Sequence, residues 1–135
     1  MSQPLPLQAV HHLAVQVRET ARSVAFYRDV LGFRELQRPG FDFPGAWLAG
    51  AGVQIHIIEQ PHAEGERTDN IDSRTNHFAF AMADTSDVPR MLDEHGIAYH
   101  QRVNAGGIHQ TFFQDPDGNH IEVAVYPAEN PPFLA

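Results

Sequence analysis

The amino-acid sequence predicts an α+β fold built from two tandem copies of a strand–helix–strand–strand–strand (βαβββ) module. The same order of elements occurs twice, and His12 and His77, at the heads of the two first strands, are 65 residues apart. The glycines that end the two helices, Gly32 and Gly96, are 64 residues apart. A long repeat that occurs only twice indicates an internally duplicated domain rather than a solenoid. The predicted bounds are residues 1–135 for a single domain, with modules at about 8–60 and 74–127.

Hydrophobic periodicity supports each element of the first module. Residues 12–17 alternate between apolar and polar or small side chains, as in a half-buried strand. Residues 19–33 place apolar side chains at helical spacing, and the expected N-cap is Thr20 or Glu19. A loop rich in proline and glycine follows. Further strands are predicted at residues 33–36, 46–50 and 52–59, the last two joined as a hairpin.

The second module begins after residues 61–75, a polar stretch without periodicity that is predicted to be a linker or an exposed loop. Its helix spans residues 84–97, with Asp84 or Thr85 as the expected N-cap. The sequence DPDG at 115–118 predicts a turn. Strands are predicted at residues 76–82, 98–103, 107–115 and 119–126, and the tail at 127–135 is predicted to be irregular.

Composition and charge exclude several classes of partner and site. The net charge of −8 argues against nucleic acid as a partner. The absence of cysteine excludes disulfides and thiolate metal ligands, which fits a reducing compartment. The sequence has no signal-peptide pattern and no apolar stretch of the roughly 20 residues that a membrane span needs. We therefore expect a cytoplasmic protein that does not bind nucleic acid or membranes.

Four polar residues occupy matching positions in the two modules. His12 corresponds to His77 in the first strands, and His56 corresponds to Glu122 in the last strands, at spacings of 44 and 45 residues. Each lies on the strand face opposite the bulky apolar side chains, so the four could converge on one point. Three imidazoles and one carboxylate suit Zn, Ni, Fe, Co or Mn and leave coordination positions for water or substrate. The matched positions therefore predict a site for one divalent metal ion, with Glu122 also the candidate general base.

Strand alternation predicts which sheet face the other histidines lie on. A single histidine is more often a surface or core residue than a ligand, so only the matched ones are assigned to the metal. Because neighbours in a strand point to opposite faces, His11 is expected on the aliphatic face or at the strand edge. His109 and His120 are expected to share the face of the site, where either could contact substrate. A position without a role in the site is the simpler interpretation of both, and His120, next to the turn, is expected at the rim.

The loop before the third strand is unusually aromatic. Phe41, Phe43 and Trp47 either plug the open end of the core or form a lid or wall against a hydrophobic or aromatic substrate. Gln110, or Arg102, is a candidate for orienting a polar group of that substrate.

Two longer motifs carry a resemblance to a known family. FYRDVLGF at residues 26–33 and DPDGNHIE at 115–122, together with HHLAVQV at 11–17, resemble the vicinal oxygen chelate superfamily. That superfamily includes glyoxalase I, fosfomycin-resistance and bleomycin-resistance proteins, and extradiol dioxygenases. The resemblance covers about residues 8–127 and implies that the modules form an open, cup-shaped barrel. It places the four metal-ligand slots on His12, His56, His77 and Glu122, and it implies a homodimer, in some members with sites shared between chains.

The resemblance also implies a range of activities. The leading expectation is a metal-dependent enzyme that acts on a small substrate with vicinal oxygens, by isomerase- or lyase-type proton transfer or by oxygenation. The second ligand slot, a carboxylate or glutamine in glyoxalase I, is His56 here, so the sequence leaves the reaction type open. The alternative is a non-catalytic protein that sequesters a drug or ligand, as bleomycin-resistance proteins do.

Overall fold

Two βαβββ modules follow one another along the chain, as predicted. The structure is a computed structural model, and it describes residues 2–61, 63, 65–68 and 70–127. The tail predicted to be irregular lies outside the described residues, except for Pro127. The elements of the first module are β1 (His12–Val17), α1 (Thr20–Asp29), β2 (Arg34–Leu36), β3 (Gly45–Gly50) and β4 (Val53–Glu59). Those of the second are β5 (His77–Ala81), α2 (Val88–Glu94), β6 (Tyr99–Val103), β7 (His109–Gln114) and β8 (His120–Ala124).

Each module forms its own four-stranded mixed sheet. The strand orders are β1-β4-β3-β2 and β5-β8-β7-β6, so the first strand of each module lies at a sheet edge. That edge strand pairs in parallel with the last strand of its module, and the other pairings are antiparallel. The two sheets therefore have the same topology, which confirms the predicted α+β fold of duplicated modules.

One face of each sheet packs on the core and the other is open. In β1, Val15 and Val17 are buried, whereas His12, Ala14 and Gln16 are exposed on the other face. β5 repeats the pattern: its phenylalanines pack against the core, and its histidine and alanines are exposed. Strand alternation thus carries the matched polar residues onto the open faces.

The helices begin where local chemistry places their first turns. α1 begins at Thr20 with Glu19 as the N-cap residue, and the Glu59 carboxylate accepts a hydrogen bond from the backbone N–H of Thr20. α2 begins at Val88 after the N-cap residue Asp87, later than the expected start at Asp84 or Thr85. Asp84 instead accepts the backbone N–H of Ser86 in a tight turn, because short acidic side chains compete with the helical backbone.

A buried polar cluster joins α1 to the DPDG turn of the second module. The Tyr27 hydroxyl donates to Asp115 at 2.7 Å, and both residues are fully buried. Asp117 accepts hydrogen bonds from the backbone N–H of Arg18, the guanidinium of Arg22 and the hydroxyl of Ser23. Burial raises the pKa of Tyr27 well above its usual value and also raises the pKa of Asp115. We call these residues the inter-module cluster, because the contacts connect elements far apart in sequence.

The turn also holds the segment that links the modules. Gly118 has a φ of +87°, and a Cβ at this position would lie 2.6 Å from the backbone oxygen of Glu66. Glycine therefore allows both the left-handed turn and the close approach of the linking segment. In the described part of the chain, no helix has the length and apolar character that crossing a membrane requires.

Candidate functional site

The open face of the first sheet carries the pair His12 and His56. Their rings are stacked, with centroids 3.9 Å apart and planes 11° apart. The Nε2 of His56 donates to the Gln54 side-chain oxygen at 2.9 Å, which leaves the lone pair on Nδ1. Burial first, and then the nearby imidazoles of His12 and His11, lower the pKa of His56. A neutral imidazole is the form that binds metal ions, so the environment of His56 suits a ligand.

His11 lies beside this pair. Its Nδ1 is 2.8 Å from the Nδ1 of His12, and its ring meets the His56 ring edge-on at 6.2 Å. His11 precedes the first residue of β1, so strand alternation does not direct its side chain to the aliphatic face. The contact occupies one nitrogen of His12 and leaves Nε2 as the nitrogen available to a ligand.

The open face of the second sheet carries the pair His77 and Glu122. The Nε2 of His77 is 3.2 Å from the Oε1 of Glu122, whose side chain is only 4% exposed. The Nδ1 of His77 lies 2.8 Å from the backbone oxygen of Thr75. The other carboxylate oxygen of Glu122 accepts a hydrogen bond from the hydroxyl of Tyr126.

The hydrogen bonds of this second pair show that it fits a cation. The Thr75 oxygen can only accept, so the Nδ1 of His77 carries the hydrogen and a neutral ring has its lone pair on Nε2. That lone pair then points at a carboxylate oxygen of Glu122, two acceptors facing each other. A proton or a metal ion between the two acceptors would turn this repulsive contact into an attractive one. With metal–ligand bonds of about 2.0–2.2 Å, two ligands of one ion lie about 3 Å apart, as these atoms do.

Sheet register confirms that the two pairs are equivalent. His56 lies opposite Ala14 of the first strand, and Glu122 lies opposite Ala79 in the same place of the second sheet. The structure therefore brings His12 to His56, and His77 to Glu122. Within one chain, no three histidine or acidic side chains among the described residues are grouped so that they could hold a metal ion. The expected convergence of all four is thus replaced by two separate pairs, which we call the N-pair and the C-pair.

The aromatic residues of the loop continue the first open face. Trp47 stacks on His56 with centroids 4.3 Å apart and planes 8° apart. Phe41 lies 5.9 Å from Trp47 and 5.4 Å from Phe43, and the guanidinium of Arg38 covers both phenylalanine rings. Phe41 and Phe43 are 45% and 38% exposed, so they do not plug the core. The rings form a continuous aromatic row that starts at the N-pair.

Other residues considered from the sequence lie around the C-pair. Gln110 lies opposite Ala124 on the open face, and the guanidinium of Arg102 donates to the Ser73 hydroxyl. His120 is opposite His77, but its Nε2 accepts the backbone N–H of Asp72. The expectation for His109 is wrong: it shares parity with the buried Thr111 and Phe113, so it is directed to the other face of the sheet.

Sequence reasoning missed Tyr126, Thr75 and Gln54. Gln54 could have been found, because it has the parity of His56 two residues away. Tyr126 lies two residues beyond the end of β8 at Ala124, but the strand predicted over 119–126 gives it the parity of Glu122, so it could have been found in the same way. Burial, followed by the hydrogen bond to Glu122, raises the pKa of Tyr126, so its hydroxyl keeps its proton at neutral pH.

With this geometry in place, comparison with known proteins decides the family. Residues 9–123 match the family model of the Glyoxalase/Bleomycin resistance protein/Dioxygenase superfamily. The chain belongs to this superfamily. The match confirms the resemblance predicted from the motifs around Tyr27 and Asp115.

Individual superfamily members agree with the assignment. "Glyoxylase I 4" of Arabidopsis thaliana is 39% identical over 125 residues, which cover 89% of this chain and 72% of that protein. "Lactoylglutathione lyase" of Salmonella typhimurium is 24% identical over 119 residues, covering 83% of this chain and 88% of that protein. Among solved structures, a glyoxalase family protein from Enterococcus faecalis has a TM-score of 0.72 at 26% identity, covering 89% of this chain and 99% of that one. The superfamily fold therefore extends over nearly the whole chain.

Proposed function

We propose that this protein is a divalent-metal-dependent lyase or isomerase that transfers a proton on a small substrate with adjacent oxygens. The observation that carries the proposal is the C-pair, in which the Nε2 lone pair of His77 faces a carboxylate oxygen of Glu122 at 3.2 Å. Relatives that bear the names of glyoxalase I and lactoylglutathione lyase support this type of reaction. The proposal keeps the expected cytoplasmic location.

The second part of the proposal is that each metal site is shared between two copies of the chain. One chain holds the N-pair and the C-pair apart, and two ligands from one chain leave a site incomplete. The pairs lie on the open faces of sheets whose edge strands, β1 and β5, expose alanines and a glutamine. In a twofold dimer the same contact occurs twice, so the N-pair of each copy meets the C-pair of the other. A homodimer would then contain two sites with three imidazoles and one carboxylate each.

Different residues of the chain would have different roles in the reaction. A bound divalent ion would polarise the adjacent oxygens of the substrate and make the neighbouring C–H more acidic. His12, His56 and His77 would hold that ion as neutral ligands. Glu122 would take the proton from one substrate carbon and return it to the adjacent carbon, so no oxidant or reductant is consumed. Its low exposure excludes bulk water from the proton in transit.

The aromatic row supports an apolar part of the substrate. Trp47, Phe41 and Phe43 extend from the N-pair and remain accessible. Such a surface suits a flat or hydrophobic group attached to the carbons that react. Gln110, on the open face of the sheet that carries the C-pair, would orient a polar atom of the substrate.

The same row favours one alternative function, a non-catalytic protein that sequesters a flat aromatic ligand. Two-histidine, one-carboxylate ligand sets also serve non-haem iron oxygenases, so the identity of the metal separates the enzyme classes. Iron would indicate oxygenation, and nickel or zinc would indicate proton transfer. A protein that binds no metal but does bind flat aromatic compounds would establish the sequestering function instead.

We expect His77→Ala to abolish metal binding, because it removes the imidazole that faces Glu122. Elemental analysis of the untagged protein, purified without chelators, should find about one metal ion per chain in the wild type and almost none in the variant. The matched control is His109→Ala, which removes an exposed histidine from the other face of the same sheet. Full metal content in His77→Ala would overturn the assignment of the C-pair.

A further inference from the structure

We propose that Tyr126 is a positioning residue that makes Glu122 a monodentate metal ligand. The inference deepens the proposed function and rests on the metal site described there. It assigns each oxygen of the carboxylate to one partner: Oε1 to the metal beside His77, and Oε2 to the hydroxyl of Tyr126.

The contacts of Glu122 lead to this division. Its Oε1 is the oxygen that lies 3.2 Å from the Nε2 of His77, on the side where the ion would bind. Its Oε2 accepts the hydroxyl of Tyr126, four residues further along the chain. The phenol occupies one lone pair of Oε2 and fixes the orientation of that oxygen, and a chelating carboxylate needs both oxygens at the metal, so the hydrogen bond favours binding through Oε1 alone. The side chain is also buried, so water is not an equivalent substitute for the phenol.

The position of Tyr126 supports a positioning role rather than a place in the core. β8 ends at Ala124, and the phenol of Tyr126, two residues further along the chain, donates to Glu122. Tyr126 also lines an open cavity of about 410 Å³, together with Pro127 and the hairpin loop at Gly106 and Gly107. Tyr126 is only partly buried, and it is not a member of the hydrophobic core cluster.

Monodentate binding has a consequence for the reaction. A carboxylate attached through one oxygen can leave the ion by breaking one bond, and it remains held by the phenol when it does. Tyr126 would therefore let Glu122 alternate between ligand and base without losing its orientation.

The test compares Tyr126→Phe, which removes one oxygen atom, with Tyr99→Phe, which makes the same change on β6, away from Glu122. Zinc affinity is measured by chelator competition, and the coordination of cobalt(II) is followed by visible absorption. Loss of such an orienting contact typically weakens metal affinity by about 10–100-fold, which is the effect expected for Tyr126→Phe and not for Tyr99→Phe. We also expect the cobalt(II) absorption to change, because Glu122 is then free to chelate; a purely structural role would not change this spectrum.

A second measurement uses the unaltered protein. X-ray absorption at the zinc edge should find a carboxylate bound through one oxygen, and a chelating carboxylate would overturn the inference. The inference also fails if Tyr126→Phe keeps the affinity and the cobalt(II) spectrum of the wild type, and the proposed function then stands. If the wild-type protein binds neither metal, the proposed function fails and the role of Tyr126 fails with it.

Discussion

Mixing two metal-deficient variants of this chain should restore metal binding that neither variant has alone. The first variant, His12→Ala/His56→Ala, keeps only the C-pair, and the second, His77→Ala/Glu122→Ala, keeps only the N-pair. If sites form between chains, a mixed dimer contains one complete site and one site without protein ligands. The mixed dimer is therefore expected to hold about one metal ion per two chains.

The measurement is metal content after the two variants are co-expressed with different tags and the mixed dimer is purified. A third variant, His12→Ala/His77→Ala, has one ligand missing from each pair and serves as the control. Paired with the first variant, it should restore less metal than the second variant does, because the fullest site that their halves form has His56, His77 and Glu122 and lacks one ligand. A mixed dimer that stays empty, while the wild-type protein holds its metal, would place each site within one chain.

The separation into the N-pair and the C-pair explains why the site could be predicted only in part from the sequence. Strand alternation has a period of two, so the faces occupied by His12, His56, His77 and Glu122 follow from the positions of buried neighbours such as Val15 and Ile121. The near-equality of the two spacings, 44 and 45 residues, similarly supported the duplicated topology. Neither pattern predicts how one module packs against the other.

That placement depends on contacts between distant residues. The hydrogen bond from Tyr27 to Asp115 joins residues 88 positions apart, and it connects a helix of one module to a turn of the other. The parity of Tyr126 with Glu122 indicated the face on which it lies, but not the hydrogen bond between the two side chains. The start of α2 was missed because the hydrogen bond from Ser86 to Asp84 favours a turn where the composition favoured a cap.

The inter-module cluster should therefore produce the largest loss of stability. We expect Asp115→Ala to lower the free energy of unfolding by about 4 kcal/mol, because several buried donors lose their acceptor, each at a cost of about 1–3 kcal/mol. Those donors are the hydroxyl of Tyr27, the side-chain amide of Asn119, and the backbone N–H groups of Asp117 and Asn119. Tyr27→Phe removes only one hydrogen bond to a carboxylate and should lower it by about 2 kcal/mol.

The contribution of Asp115 to the free energy of unfolding should depend on pH, and the direction of that dependence follows from its pKa. Burial raises the folded-state pKa of Asp115 above its usual value, so the folded protein favours the protonated carboxyl. Its contribution to stability is complete below the unfolded-state pKa and is lost as the pH rises through the raised folded-state pKa. Asp115→Asn carries no charge at any pH and keeps one acceptor oxygen. We therefore expect it to lower the free energy of unfolding less than Asp115→Ala does. The part of the free energy of unfolding that depends on the protonation of Asp115, and that the wild type loses as the pH rises, should be missing from this variant.

Urea unfolding at pH 5 and pH 7, followed by fluorescence of Trp47, measures these differences. Asp84→Ala is the control, because Asp84 is an exposed aspartate that accepts the backbone N–H of Ser86 at the surface, and its removal should cost less than about 1 kcal/mol. If Asp115→Ala were no more destabilising than Asp84→Ala, the cluster would not hold the modules together. The fixed separation of the N-pair from the C-pair, and with it the need for a second chain at each site, would then lose its structural basis.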